Sequence, residues 1–212
     1  MNPYSRNLTL ALLAILAAGC TTTAPRASRA SAGAEMASAQ AARDDAADER
    51  FHAALQMMRT RPDTAREELL ALSREYPSFS GPLTNLGILY ASGRQRGDAV
   101  ASFSQAVSAN PNNAVALNWL GTLYRETGDF GRAEAAYLKA LEVRPNYAAA
   151  HLNLAILYEL ALGRPQQALE HYRDYRDQAD EPRLIVSAWI KELETKGVPS
   201  PAASVASAQM TP

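Results

Sequence analysis

The chain has 212 residues, 47% of them apolar, and its 21 basic and 22 acidic residues leave a net charge of −1. That near balance excludes the strongly basic face that nucleic-acid binding requires. The apolar share leans on alanine, the strongest helix former, with few β-branched runs, so composition predicts an all-α protein. Cys20 is the single cysteine, which rules out an internal disulfide framework or a Cys-based zinc site.

The chain opens on a polar stretch carrying Arg6, and then residues 8–18 run apolar apart from Thr9. Eleven residues fall short of the roughly 20 that cross a hydrocarbon core, and match the apolar region of a secretory signal peptide. The run ends in Leu16-Ala17-Ala18-Gly19-Cys20. This resembles the lipobox of bacterial lipoproteins, where small residues precede a cysteine that is lipidated and becomes the mature N-terminus. The match departs in one place: leucine stands at 16 and alanine at 17, one step from the usual order. The other reading is an ordinary signal peptide with an incidental cysteine. The resemblance implies removal of residues 1–19 and an acyl anchor at Cys20, and two or more acyl chains hold a protein stably on a membrane. Thr21 follows the cysteine in place of the aspartate that favours inner-membrane retention, so the resemblance further implies the outer membrane.

Residues 20–42 are rich in Thr, Ala, Ser, Pro and Gly and poor in bulk, which predicts a flexible tether with a reach of roughly 26 Å. A helical domain is expected over 43–196. Asp44, Asp45, Asp48 and Glu49 fall where its first helix should begin, complementing the helix dipole.

Within this domain one interval dominates. Pro77, Pro111 and Pro145 are 34 residues apart, as are Ala65, Ala99 and Ala133, and Tyr90, Tyr124 and Tyr158. Leu86-Gly87 and Leu120-Gly121 keep the interval, as do Phe103 with Tyr137 and Ala106 with Ala140. This pattern resembles the tetratricopeptide repeat, a 34-residue helix–turn–helix unit. Units from Ser80 and Ala114 carry it most completely. The unit from Ala148 gains one residue in its turn, so Gly163, Ala168 and Tyr172 run one late, and Tyr175 replaces a small residue. The unit from Ala46 is degenerate, with His52 and Gln56 where leucine and tyrosine are expected. The resemblance implies a short solenoid of about three clear repeats plus one degenerate N-terminal repeat. In it the small residue at position 8 would face the alanine at position 20, bringing paired helices to about 8–10 Å. End units need a cap, and Ile185, Val186, Trp189, Ile190 and Leu193 form a helical stripe that predicts one. Residues 197–212, rich in Pro, Ala and Ser, read as a disordered tail.

By the same resemblance, positions 5, 9 and 12 of each first helix line a groove for partner proteins. These are Thr84, Ile88 and Ala91, then Asn118, Thr122 and Arg125, then Leu152, Ile156 and Glu159. Apolar Ile88, Leu152 and Ile156 on an open surface point to a covering partner, or else to scattered surface hydrophobes or contacts between adjacent repeats. A carboxylate clamp is disfavoured: Asn85, Asn118 and Asn153 are repeat consensus, and none of Lys139, Lys191 and Lys196 falls in the groove.

No phosphate loop, nucleophile elbow or acid–base cluster is present in the sequence, so no enzyme, cofactor or small-molecule substrate is expected. His52, His151 and His171 do not fall in a metal-ligand spacing, and no metal is expected; His171, Asp174 and Asp177 read as surface polarity along one helix. The expected protein is thus a lipid-anchored periplasmic scaffold of the outer membrane, binding other envelope proteins. Similar builds occur in lipoproteins that assist type IV and tight-adherence pilus or secretin assembly. The alternatives are an accessory of a TonB-type or cell-wall synthesis complex, or a glycan-binding or hydrolytic protein using the groove.

Overall fold

The computed structural model describes residues 26–196. The signal segment, Cys20, the first residues of the tether and the tail from 197 onward lie outside the described residues. The chain divides into two compact units, 1–44 and 45–212.

In the first unit, α1 (Arg26–Met57) begins sixteen residues before the end of the expected tether at Ala42. The described side chains between 34 and 44 are all exposed, and Gln40 Nε2 donates to Asp44 Oδ1 at 2.8 Å, one helical turn away. Lack of bulk removes a packing face but leaves alanine's helix propensity intact, which is why the tether expectation fails over 26–42. Asp44, Asp45, Asp48 and Glu49 consequently lie inside α1 and not at its start, so the helix-dipole account of them fails too.

The second unit takes up α1 from residue 45. It continues through α2 (Pro62–Glu75), α3 (Ser80–Ser92), α4 (Arg96–Ala109), α5 (Ala114–Glu126), α6 (Phe130–Val143), α7 (Ala148–Leu160), α8 (Pro165–Gln178) and α9 (Leu184–Thr195). Among the described residues there is no strand. Hairpins α3/α4, α5/α6 and α7/α8 stack, each second helix packing on the next first helix, and α9 packs on α8. This is a solenoid of helical repeats with a terminal cap. Among the described residues no helix is long and apolar enough to cross a membrane.

The prolines set where the second helices stop. Helices α2, α4 and α6 end two residues before Pro77, Pro111 and Pro145. The residue between has left the helical region in each case: Tyr76 at φ −129°, Asn110 at −142° and Arg144 at −135°. Proline's ring clashes with a helical residue before it, so the chain must leave the helix there.

Packing inside a hairpin differs from the expected alanine contact in one respect. A Cβ placed on Gly121 would lie 2.5 Å from the Tyr137 ring, and one on Gly87 would lie 2.6 Å from the Phe103 ring. The glycine therefore faces the aromatic at position 24, whose ring occupies the space a side chain would need. Ala99 and Ala133 are fully buried beside it.

The outer repeats place these small residues at a different spacing. From the buried small residue of the first helix to the buried alanine of the second is twelve residues in Gly87–Ala99 and Gly121–Ala133. It is eleven in Ala54–Ala65 and thirteen in Ala155–Ala168. The first unit's degeneracy is thus partly a one-residue slip: Ala54 is buried, whereas His52 and Gln56 are exposed. In the turns, Gly128 and Gly163 adopt φ of +79° and +61°, and Arg94 takes the equivalent left-handed place at +59°. At the C-terminal end, Val186, Ile190 and Leu193 are buried and Trp189 lies 5.5 Å from the Tyr172 ring. Ile185, expected in that stripe, is 52% exposed, because it sits in the first turn of α9 on the outward side. Tyr175, in the place of a small residue, accepts the Arg183 backbone N–H at 3.1 Å and so braces the entry to the cap.

Candidate functional site

Helix α5 packs against both α3 and α7, so the three first helices form one continuous face. That contact divides the nine sequence-derived groove residues into two sets. Thr84, Asn118 and Leu152, at position 5, are only 6–8% exposed and lie between neighbouring first helices. Ile88, Ala91, Thr122, Arg125, Ile156 and Glu159 are half-buried. The expectation that Leu152 stands open in the groove is therefore wrong. It belongs to the core formed with Leu154, Leu157 and Tyr158.

The half-buried set is polar towards the C-terminal end. Thr122 Oγ1 accepts from the Tyr137 hydroxyl at 3.2 Å, and Glu159 Oε2 accepts from the Tyr172 hydroxyl at 2.7 Å. Burial raises both phenol pKa values, and for Tyr172 the hydrogen bond to the Glu159 carboxylate raises it further. Two buried tyrosines of the second helices thus hold Thr122 and Glu159 in place, with Arg125 near both phenols.

The two polar position-5 residues, Thr84 and Asn118, each take part in side-chain hydrogen bonds that sequence reasoning missed. Asn113, the last residue before α5, donates from Nδ2 to Thr84 Oγ1 at 2.8 Å and to Ser80 Oγ at 3.2 Å. Its Oδ1 meanwhile accepts the Ala116 N–H, capping α5. One repeat on, Tyr147 stands in the sequence place of Asn113, and Asn118 Oδ1 accepts from Asn153 Nδ2 at 3.0 Å. The signal was legible as a second use of the 34-residue interval, joining Thr84 to Asn118 and Asn113 to Tyr147. Asn113→Ala should cost about 2 kcal/mol, combining a lost cap with lost buried hydrogen bonds. Asn113→Asp keeps the cap acceptor but loses both donors, so its thermal midpoint should fall between wild type and Asn113→Ala.

A second cluster lies between α7 and α8. His151 Nδ1 is 2.9 Å from His171 Nδ1, and His151 Nε2 is 2.8 Å from the Pro145 carbonyl oxygen. Asp174 Oδ2 is 3.4 Å from His151 Nδ1 and 3.7 Å from His171 Nδ1. The Tyr158 ring stacks on His171 at 5.7 Å. Burial pushes the His171 pKa down to about 4; His151 adds to this and Asp174 opposes it. Sequence spacing separated these residues, and the hairpin brings them together. Asp177 is not among them: it pairs with Arg176 at 2.8 Å.

The packing of these hairpins is that of a helical-repeat array, and comparison with known proteins agrees. Two Tetratricopeptide repeat family models match, over residues 112–181 and 84–130. Pseudomonas aeruginosa PilF is similar in structure, with a TM-score of 0.65 at 21% identity, over 74% of this chain and 71% of that one. A crystal structure of MamA is also similar, with a TM-score of 0.56 at 24% identity, over 66% of this chain and 83% of that one. No curated protein matches the chain. The structural matches establish the fold, and the family matches point to no catalytic family.

Proposed function

We propose that this chain is a lipoprotein anchored through Cys20 to the outer membrane, whose repeat face in the periplasm holds protein partners during assembly of an envelope machine such as a pilus or secretin. The observation that carries the scaffold reading is the face shared by α3, α5 and α7. There Ile88, Ala91, Thr122, Arg125, Ile156 and Glu159 remain partly open after the repeats have packed. Apolar anchors beside a rigidly held carboxylate and a guanidinium are the means by which a repeat array grips an extended or helical segment. The lipobox-like end of the apolar run supports the anchor, and the repeat fold supports the scaffold reading. A 500 Å³ cleft beside Ile88 has Asp63 as its one carboxylate, and that carboxylate is already paired with Arg66 at 2.6 Å. This cleft offers no pair of carboxylates for hydrolysis.

The test uses positions that are not core. Ala91→Glu with Arg125→Glu should lower partner affinity at least about tenfold while leaving the helix content unchanged, since a charge reversal at an interface arginine commonly costs more than 1.4 kcal/mol. The control carries glutamates at Ala135 and Lys139, which are exposed on α6. Crosslinking from intact envelopes followed by pull-down compares the two. Recovery retained in the first variant and lost in the control would move the binding surface to the other face.

A further inference from the structure

The repeats of this chain can be read against one another. The residue 34 before His151 is Leu117, and 34 before that is Leu83. Both leucines are buried, as is His151 at 6% exposure. With the one-residue insertion in the last turn, the half-buried His171 corresponds to Ala136 and Ser102, which are buried. Two inward positions filled by apolar or small residues elsewhere in the array therefore both carry histidine here, and the two rings meet. Replacing a core leucine by an imidazole costs desolvation, and the 34-residue pattern gives no packing reason for it.

We propose that His151, His171 and Asp174 form a binding site for a divalent transition-metal ion of the zinc class. The three donor atoms, Nδ1, Nδ1 and Oδ2, form a triangle with edges of 2.9, 3.4 and 3.7 Å. A point about 2 Å from all three lies within such a triangle, which is the ligand distance of Zn²⁺ to histidine nitrogen and carboxylate oxygen. The outer shell is also in place. His151 Nε2–H donates to the Pro145 carbonyl oxygen, which leaves its Nδ1 lone pair aimed at the triangle, the arrangement that orients metal-bound histidines. With His151 in that tautomer, the present Nδ1···Nδ1 contact requires the proton on His171 Nδ1. Metal binding moves that proton to Nε2 of the same ring, with no net proton gained or lost. The two nitrogens then separate by a few tenths of an ångström to share the ion. Asp174 is 47% exposed on its side chain, so the site opens to solvent on one side and leaves room for a water as fourth ligand.

The test titrates the full chain, purified in detergent without a polyhistidine tag, with Zn²⁺ by calorimetry and with Co²⁺ by visible absorption. Wild type should take up one Zn²⁺ with a Kd in the micromolar range or below, and Co²⁺ should give the intense bands of a four-coordinate ion. The thermal midpoint should rise by roughly 5 °C at saturating Zn²⁺ and return on adding a chelator. His171→Ala and Asp174→Ala should each weaken binding at least about 100-fold, while His52→Ala, at an exposed histidine outside the cluster, should leave it unchanged. Asp174 is half-exposed, so its variant reports even if the half-buried His171→Ala fails to fold. Absence of Zn²⁺ uptake by wild type, or equal uptake by wild type and Asp174→Ala, would overturn the site.

Discussion

Gly121→Leu will lower the stability of the array by about 3 kcal/mol, near the upper end of the usual cost of overpacking, although leucine is the better helix former. The site has no room: a Cβ alone would stand 2.5 Å from the Tyr137 ring, which is fully buried and held at its hydroxyl by Thr122. Neither the ring nor the backbone can yield without opening the α5/α6 hairpin. Gly131→Leu is the matched control, since Gly131 lies in α6 with nothing within 4 Å of the added Cβ. There the gain in helix propensity should raise stability by about 0.5–1 kcal/mol. Thermal melts of the two variants should thus move in opposite directions, the first by roughly 6–12 °C. Gly121→Ala should fall between wild type and Gly121→Leu. A Gly121→Leu midpoint equal to wild type would mean that the glycine does not set the helix approach.

On the proposed Cys20 anchor, Cys20→Ser should abolish membrane attachment outright. A serine hydroxyl offers no thiol for acylation, and the peptidase specific for lipoproteins would leave the signal segment uncleaved. The expected readouts are loss of label from a fatty-acid analogue and loss of the mature form from the outer-membrane fraction. Three acyl chains hold a domain on a membrane without any spanning helix, whereas one gives only marginal binding, so the effect should be all-or-none. A variant that still takes up label and sediments with the outer membrane would sink the anchor reading. This test is independent of the binding face, since the repeat unit begins at residue 45.

The repeat was legible because its constraints are local and periodic. Proline ends a helix through its own ring, and a small residue recurring in each first helix marks a close approach, although the sequence placed it opposite alanine and not the aromatic ring. The cap was legible through Val186, Ile190 and Leu193. Three things were hidden, each for a physical reason. The helix over residues 26–42 rests on propensity without packing, and its composition is that of a tether. The burial of Thr84, Asn118 and Leu152 depends on how closely successive first helices approach, which no single-helix periodicity encodes. His151 and His171 are 20 residues apart and meet only because the α7/α8 hairpin folds them together. Once the repeats are aligned, however, the exchange of Leu83 and Leu117 for His151 is visible in the sequence.

The three spacings bear on how the array can be remade. A duplication or exchange of whole 34-residue units would be tolerated between the units from Ser80 and Ala114, which share a twelve-residue spacing and a glycine under an aromatic ring. It would fail if Ala155 were transplanted without its longer turn, because its methyl would enter the space that Tyr137 or Phe103 fills. The terminal units are thus fitted to their places in the order. The chain is a fixed sequence of non-identical parts and not a string that can be lengthened at will, and an added repeat belongs in the middle.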